Sequence, residues 1–274
     1  MKKLKLVGYL YLVLLLTPIA IGKFFPTSLP SSEPITPNYT PVAYAANWEQ
    51  AKQLESSEKQ ADILLLFTHS HESYIPIVQS KSGKKMVYDA TTNITKLSDM
   101  IAFQFGIRQL HVDTLPVDNM LEMKKRGVLM RSAYENIRPI LQDVIREKPY
   151  DLIIDLHRDS TKHDLSTIEV DSNSFAKIAF IVGAENKNFR KNHEISTQLS
   201  NRLETMIPGI SRGVISKSGD NVDGVYNQDL SENMVLIEIG GIESTEEEIN
   251  RTISVLAQAI ADWRSSPFQQ SLMY

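Results

Sequence analysis

The sequence predicts an α/β fold in which a central, mostly parallel sheet is flanked by helices. Across residues 62–263, short apolar runs typical of buried strands alternate with stretches whose apolar residues recur at helical spacing. Two of these runs, 63–67 and 152–156, lead directly into histidines and acidic residues, and a third, 234–241, carries a glutamate. Because parallel strands place polar sites at their carboxyl ends, we expect these residues to converge.

Helical spacing of apolar residues predicts a short helix at 48–60 and longer ones at 93–105, 119–147, 188–206 and 245–263. Pro139 is expected to kink or restart the second of the longer helices. Thr245 and Glu248 form a capping-box pattern at the start of the last one. Residues 165–170 and 176–183 are predicted strands and are candidates for pairing with each other.

The composition excludes several classes of function. The 274 residues carry a net charge of −4, so no nucleic-acid partner is expected. Cysteine is absent, which removes thiol nucleophiles, disulfides and thiolate-bound zinc. Histidine, aspartate and glutamate are left as the strong metal ligands.

The amino terminus predicts a membrane segment. Lys2, Lys3 and Lys5 precede an apolar stretch at 6–22, so residues 1–22 are an anchor or a signal segment with its basic flank in the cytoplasm. A small-x-small pattern at 43–46 lies too far beyond that stretch for ordinary cleavage, which favours an uncleaved anchor. We therefore expect a single-pass protein of the cell membrane with its catalytic domain outside the cytoplasm.

The remaining domain boundaries follow from composition. Residues 23–47 are rich in proline, serine and threonine and form an extended spacer. Residues 48–266 are predicted as one catalytic domain, followed by a short tail at 267–274.

Three strand-end residues predict a zinc site. His69 and Glu72 form an H-x-x-E pair that can hold one ion across a tight turn, and His157 ends a second apolar strand. His111, near a predicted strand end, competes with Glu72 for the place of third ligand. His71 is expected to support a ligand or face the substrate, because side chains two residues apart in an extended segment point to opposite sides.

Glu238 and Arg158 are the predicted catalytic residues. Glu238 lies among aliphatic residues, where burial should raise its pKa into the range of a general base. Arg158 is a candidate for stabilising an oxyanion or binding a peptide carboxylate, or else for pairing with Asp155 or Asp159. Asp155 is also placed to orient the ring of His157.

Six segments together resemble the stage II sporulation protein P family. They are THSHESY, DLHRD, FIVG, PGISR, YNQDL and LIEIGGIESTEEE, in that order across residues 63–263. The resemblance implies a membrane-anchored cell-wall hydrolase that acts on peptidoglycan during sporulation engulfment, as N-acetylmuramoyl-L-alanine amidase and endopeptidase. It also implies the stage II sporulation proteins D and M as partners. Residues 118–130 depart from the family pattern.

A wider resemblance is to zinc-dependent amidases. His69, His157 and Glu238 match the positions of their first histidine ligand, second histidine ligand and catalytic glutamate, and the third ligand is Glu72 or His111. This resemblance implies that Glu238 takes a proton from water and passes it to the leaving amine.

Two alternatives remain open on the sequence. One is a carboxypeptidase-like metallopeptidase acting on wall peptides, which has the same order of ligands. The other is a catalytically inactive scaffold that binds the wall.

Overall fold

A six-stranded sheet runs through residues 60–266, the part of the chain that the structure, a computed structural model, describes. Its order is β2-β1-β3-β8-β6-β7. The strands are β1 (Ala61–Leu66), β2 (Leu110–Thr114), β3 (Leu152–His157), β6 (Ile178–Gly183), β7 (Ser211–Lys217) and β8 (Met234–Ile239). A separate hairpin consists of β4 (Thr167–Val170) and β5 (Asn173–Ala176).

The sheet is mixed at a single junction. Strands β2, β1, β3 and β8 run parallel to one another, whereas β6 pairs antiparallel with β8 and parallel with β7. The carboxyl ends of β1, β3 and β8 therefore meet the amino ends of β6 and β7 at one edge of the sheet. The candidate site lies at this edge.

Helices cover both faces of the sheet. They are α1 (Ile75–Ser82), α2 (Ser98–Gly106), α3 (Asn119–Arg126), α4 (Ala133–Glu147), α5 (His163–Ser166), α6 (Phe189–Met206) and α7 (Glu246–Arg264), with 3₁₀ turns at Ile94–Leu97, Met130–Ser132 and Gln228–Leu230. Helices α2, α6 and α7 share the main core on one face, and α4 packs on the other.

Alternating side chains of β1 serve these two cores. Ile63 and Leu65 pack with the α2, α6 and α7 side, whereas Leu64 and Leu66 pack with α4. All four are at most 1% exposed. Because burying an aliphatic side chain of this size stabilises the fold by about 1.5–3 kcal/mol, the central strands hold the site on a rigid base.

The predicted α/β fold with a mostly parallel sheet and flanking helices is confirmed, and so are the helices at 93–105, 188–206 and 245–263. Thr245 accepts a hydrogen bond from the Glu248 main chain, and the Glu248 side chain accepts one from the Thr245 main chain. This capping box begins α7 as the sequence predicts.

The predicted helix at 119–147 is interrupted at a different place. It ends at Gly127, whose φ of 65° is left-handed and whose main-chain N–H bonds back into α3. Helix α4 runs continuously through Pro139. The expected restart at Pro139 is therefore wrong, and glycine is the stop signal.

The two predicted strands at 165–170 and 176–183 do not pair with each other. Asp171 and Ser172 both have positive φ and turn the chain into the β4–β5 hairpin, while β6 joins the main sheet. Strands β5 and β7 are absent from the sequence-based prediction.

The predicted anchor at 1–22, the spacer at 23–47, the helix at 48–60 apart from its last residue, and the tail at 267–274 lie outside the described residues. Their boundaries remain predictions. Among residues 60–266, no helix has the length and apolar character required to cross a membrane.

Candidate active site

A tight turn after β1 brings His69 and Glu72 to the same side of the chain. The Glu72 main-chain N–H donates to the His69 carbonyl at 3.0 Å, and Glu72 Oε1 lies 3.4 Å from His69 Nδ1. His71, between them, points away and contacts Asp118 Oδ1 through its Nε2 at 2.9 Å. Its place is therefore that of a support for the turn, one of the two roles expected from the sequence.

His157, the last residue of β3, faces this turn. Its Nδ1 lies 3.6 Å from Glu72 Oε2, and the His69 and His157 rings are 5.0 Å apart between centroids. One ligand atom from each of His69, Glu72 and His157 lies within 4.8 Å of the others. The structure thus brings the three predicted metal ligands together.

Glu72 is held as a carboxylate in spite of its burial. Burial alone would raise its pKa, but hydrogen bonds with His157 and His69 outweigh that effect and hold the pKa well below its ordinary value. The Arg158 main-chain N–H also donates to Glu72 Oε2 at 2.8 Å. An ionised, oriented carboxylate is available to a cation here.

The second nitrogen of the His157 imidazole faces Asp155. Its Nε2 lies 3.0 Å from Asp155 Oδ1, an ion-pair contact without hydrogen-bond geometry. Burial lowers the pKa of His157, but the charges of Asp155 and Glu72 outweigh burial and raise it well above 6.5. Asp155 is itself fixed by Thr68, which donates from its main chain and its hydroxyl at 3.0 and 2.7 Å.

The donor set fits zinc. Two imidazoles and one carboxylate converge, and two of the three side chains are buried. Nitrogen and oxygen donors in this ratio are typical of hydrolytic zinc sites, which keep a further position open for water or substrate.

Glu238 lies next to this cluster. It pairs with His157 in the parallel ladder of β3 and β8. Burial raises its pKa above the ordinary value, while the charges of His157 and Arg212 act in the opposite direction. The raised pKa is the property expected of a general base working near neutral pH.

Arg158 is placed differently from the other predicted catalytic residue. Its side chain is buried and donates to the carbonyls of Asp159 and Val87 at 2.7 and 3.2 Å, and its guanidinium lies over the Tyr88 ring. The alternative of an ion pair with Asp159 is wrong, because Asp159 pairs with Arg212 instead. The main-chain N–H of Arg158 is its contact with the cluster.

His111 cannot contribute to the same cluster. It pairs with Asp62 at the amino end of β1, whereas His69 follows the carboxyl end of that strand. The six residues of β1 span five rises, which separates these ends by about 17 Å. His111 instead contacts Asp113 at 3.1 Å, in a surface network where Lys148 bridges Asp113 and Asp62.

The comparisons with known proteins identify the family. The sequence model of Stage II sporulation protein P matches residues 31–261. The chain belongs to this family. The Stage II sporulation protein P of Bacillus subtilis (strain 168) is 31% identical over 201 residues, which are 73% of this chain and 50% of that protein. This family member therefore spans about half the length of its curated relative.

Two solved structures align with most of this chain at low sequence identity. The CwlD amidase from Clostridioides difficile, solved in complex with the GerS lipoprotein, is 13% identical with a TM-score of 0.46, covering 73% of this chain and 94% of that one. Cwp6 from Clostridium difficile is 12% identical with a TM-score of 0.42, covering 75% and 30%.

Three site residues of this family member are missing from the sequence-based assignment. The buried ring of Tyr134 lies 5.6 Å from that of His69 and 6.3 Å from that of His157. Tyr226 meets Tyr134 edge-on at 5.1 Å, and Arg212 pairs with Asp159. Tyr226 and Arg212 belong to the YNQDL and PGISR motifs, so the sequence contained a signal that could have identified them. No motif in the sequence pointed to Tyr134.

The Tyr226 loop is strained and braced. Tyr226 and Asn227 have φ of 53° and 55°, a left-handed conformation that is uncommon outside glycine. The Asn227 side chain donates to the Tyr134 carbonyl at 2.9 Å and accepts from Arg138, which also forms a two-pronged ion pair with Asp229. Residues 227–229 thus form a support that presents Tyr226.

Proposed function

We propose that this chain is a zinc-dependent peptidoglycan hydrolase, an N-acetylmuramoyl-L-alanine amidase with endopeptidase activity that acts on the cell wall during sporulation. The observation that carries the proposal is the convergence of His69, Glu72 and His157 beside Glu238. Family membership supports the wall as the substrate.

His69, Glu72 and His157 would hold the metal. Zinc bound there would act as a Lewis acid toward the scissile carbonyl and lower the pKa of water. Asp155 keeps the His157 ring in place, and the Arg158 N–H keeps the Glu72 carboxylate turned to the two imidazoles.

Glu238 performs the proton transfers. Its carboxylate takes a proton from the attacking water and delivers it to the amine that leaves when the amide bond breaks. Tyr134 remains protonated, because burial and the neighbouring Asp155 raise its pKa well above 10. Arg158 donates its main-chain N–H to Glu72, and its terminal guanidinium nitrogens donate to the carbonyls of Asp159 and Val87.

The location of the protein belongs to the same proposal. Residues 1–22 anchor the chain in the cell membrane and the domain works outside the cytoplasm, where it meets peptidoglycan. The stage II sporulation proteins D and M are the proposed partners. Protease digestion of intact cells should remove the domain while leaving a membrane-bound fragment.

The decisive experiment measures zinc content and product release by the full-length, detergent-solubilised chain, with His157→Ala, Glu238→Gln and the control His111→Ala. We expect about one zinc per chain, lost in His157→Ala but kept in an inactive Glu238→Gln. His111→Ala should resemble the parent, because His111 lies at the other end of β1.

The products separate the alternatives. New free amino groups on L-alanine identify an amidase, whereas loss of cross-linked dimers alone identifies a peptidase. Absence of both zinc and released peptide would refute the hydrolase proposal and leave the wall-binding scaffold as the better account.

A further inference from the structure

A β-bulge in the edge strand β7 lies beside Glu238. The register between β6 and β7 shifts there, so Arg212 and Gly213 of β7 stand opposite the single residue Ala179 of β6. On its other side Ala179 pairs with Glu238. Gly213 has a φ of 82°, a conformation that glycine adopts without strain. Bulges of this kind re-aim the side chains that follow them.

The bulge sets which face each β7 side chain occupies. Ser211, before it, lies on the α6 side, where its Oγ is 2.7 Å from Ser200 Oγ. Val214, after it, packs against the core on that same side. Ile215 packs on the opposite face, with the cluster that contains Tyr134.

Arg212 and Lys217 consequently share the face of Glu238. In a regular strand, residues five positions apart lie on opposite faces. The extra residue of the bulge reverses this, and the positive charges of both Arg212 and Lys217 act on Glu238.

Both cations have donors that residues 60–266 leave available to a ligand. Arg212 uses one nitrogen on Asp159 and has further donors free, since a guanidinium carries five. Lys217 forms no ion pair with any residue in 60–266.

Strand β7 also offers main-chain groups to a ligand. It is the last strand of the sheet as described, with no neighbour on its outer side. An extended peptide can add to such an edge by main-chain hydrogen bonds. A peptide lying along β7 would pass both cations.

We propose that Arg212 and Lys217 form a carboxylate subsite for the peptide on the amine side of the scissile bond. This inference rests on the proposed function and deepens it by naming the substrate feature that is recognised. Charge-assisted hydrogen bonds to a carboxylate are stronger than those to a carboxamide, so the subsite distinguishes free from amidated stem peptides.

Binding to the full-length, zinc-loaded Glu238→Gln protein tests the subsite without hydrolysis. Two stem peptides are compared, identical except that one carries a free α-carboxylate and the other a carboxamide. We expect roughly tenfold tighter binding of the carboxylate form. Adding Lys217→Gln should reduce this preference severalfold, and Arg212→Gln should do the same.

Lys191→Gln in the same background is the matched control, because Lys191 is an exposed α6 residue paired with Glu194. It should leave the preference unchanged. If Arg212→Gln fails to fold, Lys217→Gln decides alone.

Equal binding of both peptides, binding of neither, or a preference that survives both substitutions would overturn the subsite. Hydrolysis by the unsubstituted chain is measured separately. A carboxylate preference without any hydrolysis would refute the proposed function and support the subsite. Hydrolysis without a preference would support the proposed function and refute the subsite.

Discussion

Glu238 and His157 stand opposite each other in the parallel ladder between β8 and β3. Side chains at such paired positions point to the same face of the sheet and lie about 5 Å apart at their Cβ atoms. The proposed base and a proposed metal ligand are therefore set by main-chain hydrogen bonds of two buried strands. Their separation does not depend on a loop.

The pH dependence of activity should report Glu238. Burial raises its pKa above the ordinary 4.5, and only the ionised carboxylate can accept a proton. We expect kcat/KM to fall as the pH drops through this raised pKa, at a pH above 4.5. Zinc content measured over the same range is the control. An acid limb that coincides with zinc loss would assign the limb to the ligands instead.

The raised pKa of Glu238 should make the folded chain less stable at high pH, whereas it lowers activity at low pH. The folded chain binds the Glu238 proton more tightly than the unfolded chain, so this contribution is complete below pH 4.5 and is lost as the pH rises through the folded pKa. Glu238→Gln is neutral at every pH and escapes the loss. In chelator-treated protein, the Tm of the variant should gain on that of the parent with rising pH, and a constant difference would argue against the shift.

Glu72 rather than His111 should be required for zinc. Glu72→Gln keeps the shape but removes the charge that two imidazoles share, and we expect at least tenfold weaker zinc binding. Competition with a chromophoric chelator measures the change. His111→Ala is the control and should bind zinc like the parent, and the opposite result would place the metal elsewhere.

Gly183→Ala should displace the loop that carries Tyr226. A Cβ at residue 183 would overlap the main chain of Gly224. We expect a loss of about 1–3 kcal/mol in the free energy of unfolding and a lower kcat/KM. Urea unfolding and turnover on purified peptidoglycan measure both.

Gly106→Ala is the matched control for this loop. It ends α2 with no atom near the added methyl group, so stability should stay the same or rise slightly. Equal effects of the two alanines would show that the close contact between Gly183 and Gly224 does not determine the position of the loop.

Asp229→Asn should weaken the support behind Tyr226. The ion pair of Asp229 with Arg138 is partly exposed, so we expect a stability loss of about 1 kcal/mol or less. Activity should fall more, roughly tenfold, if Tyr226 positions the substrate. Asp143→Asn removes an exposed ion pair with Arg146 within α4, the helix that carries Arg138, and should change neither stability nor activity. Equal activities of the two variants would exclude a positioning role for this brace.

The site residues that the sequence predicted are those at the ends of strongly apolar strands. The buried runs of β1 and β3 end at polar residues, and this change from apolar to polar residues is visible directly in the sequence. Register is not, which is why His111 remained a candidate ligand until its pairing with Asp62 placed it at the other end of β1. The H-x-x-E pair was predictable because its turn is local.

Strand β7 illustrates what the sequence could not give. Its residues SRGVISK mix polar and apolar side chains around a glycine, because an edge strand with a bulge has no regular alternation. Arg212 reaches the site only through that bulge. Tyr134 is similar, since its approach to both histidines depends on how α4 packs on the sheet.

The position of β8 has a consequence for the timing of assembly. Met234–Ile239 comes late in the chain yet lies between β3 and β6, and it is the strand that connects them in the sheet. Until those residues have been synthesised, β3 and β6 each keep an open edge and the proposed base is missing. A nascent chain therefore lacks the proposed base, and the proposed activity can begin only when a late segment inserts into the middle of the sheet.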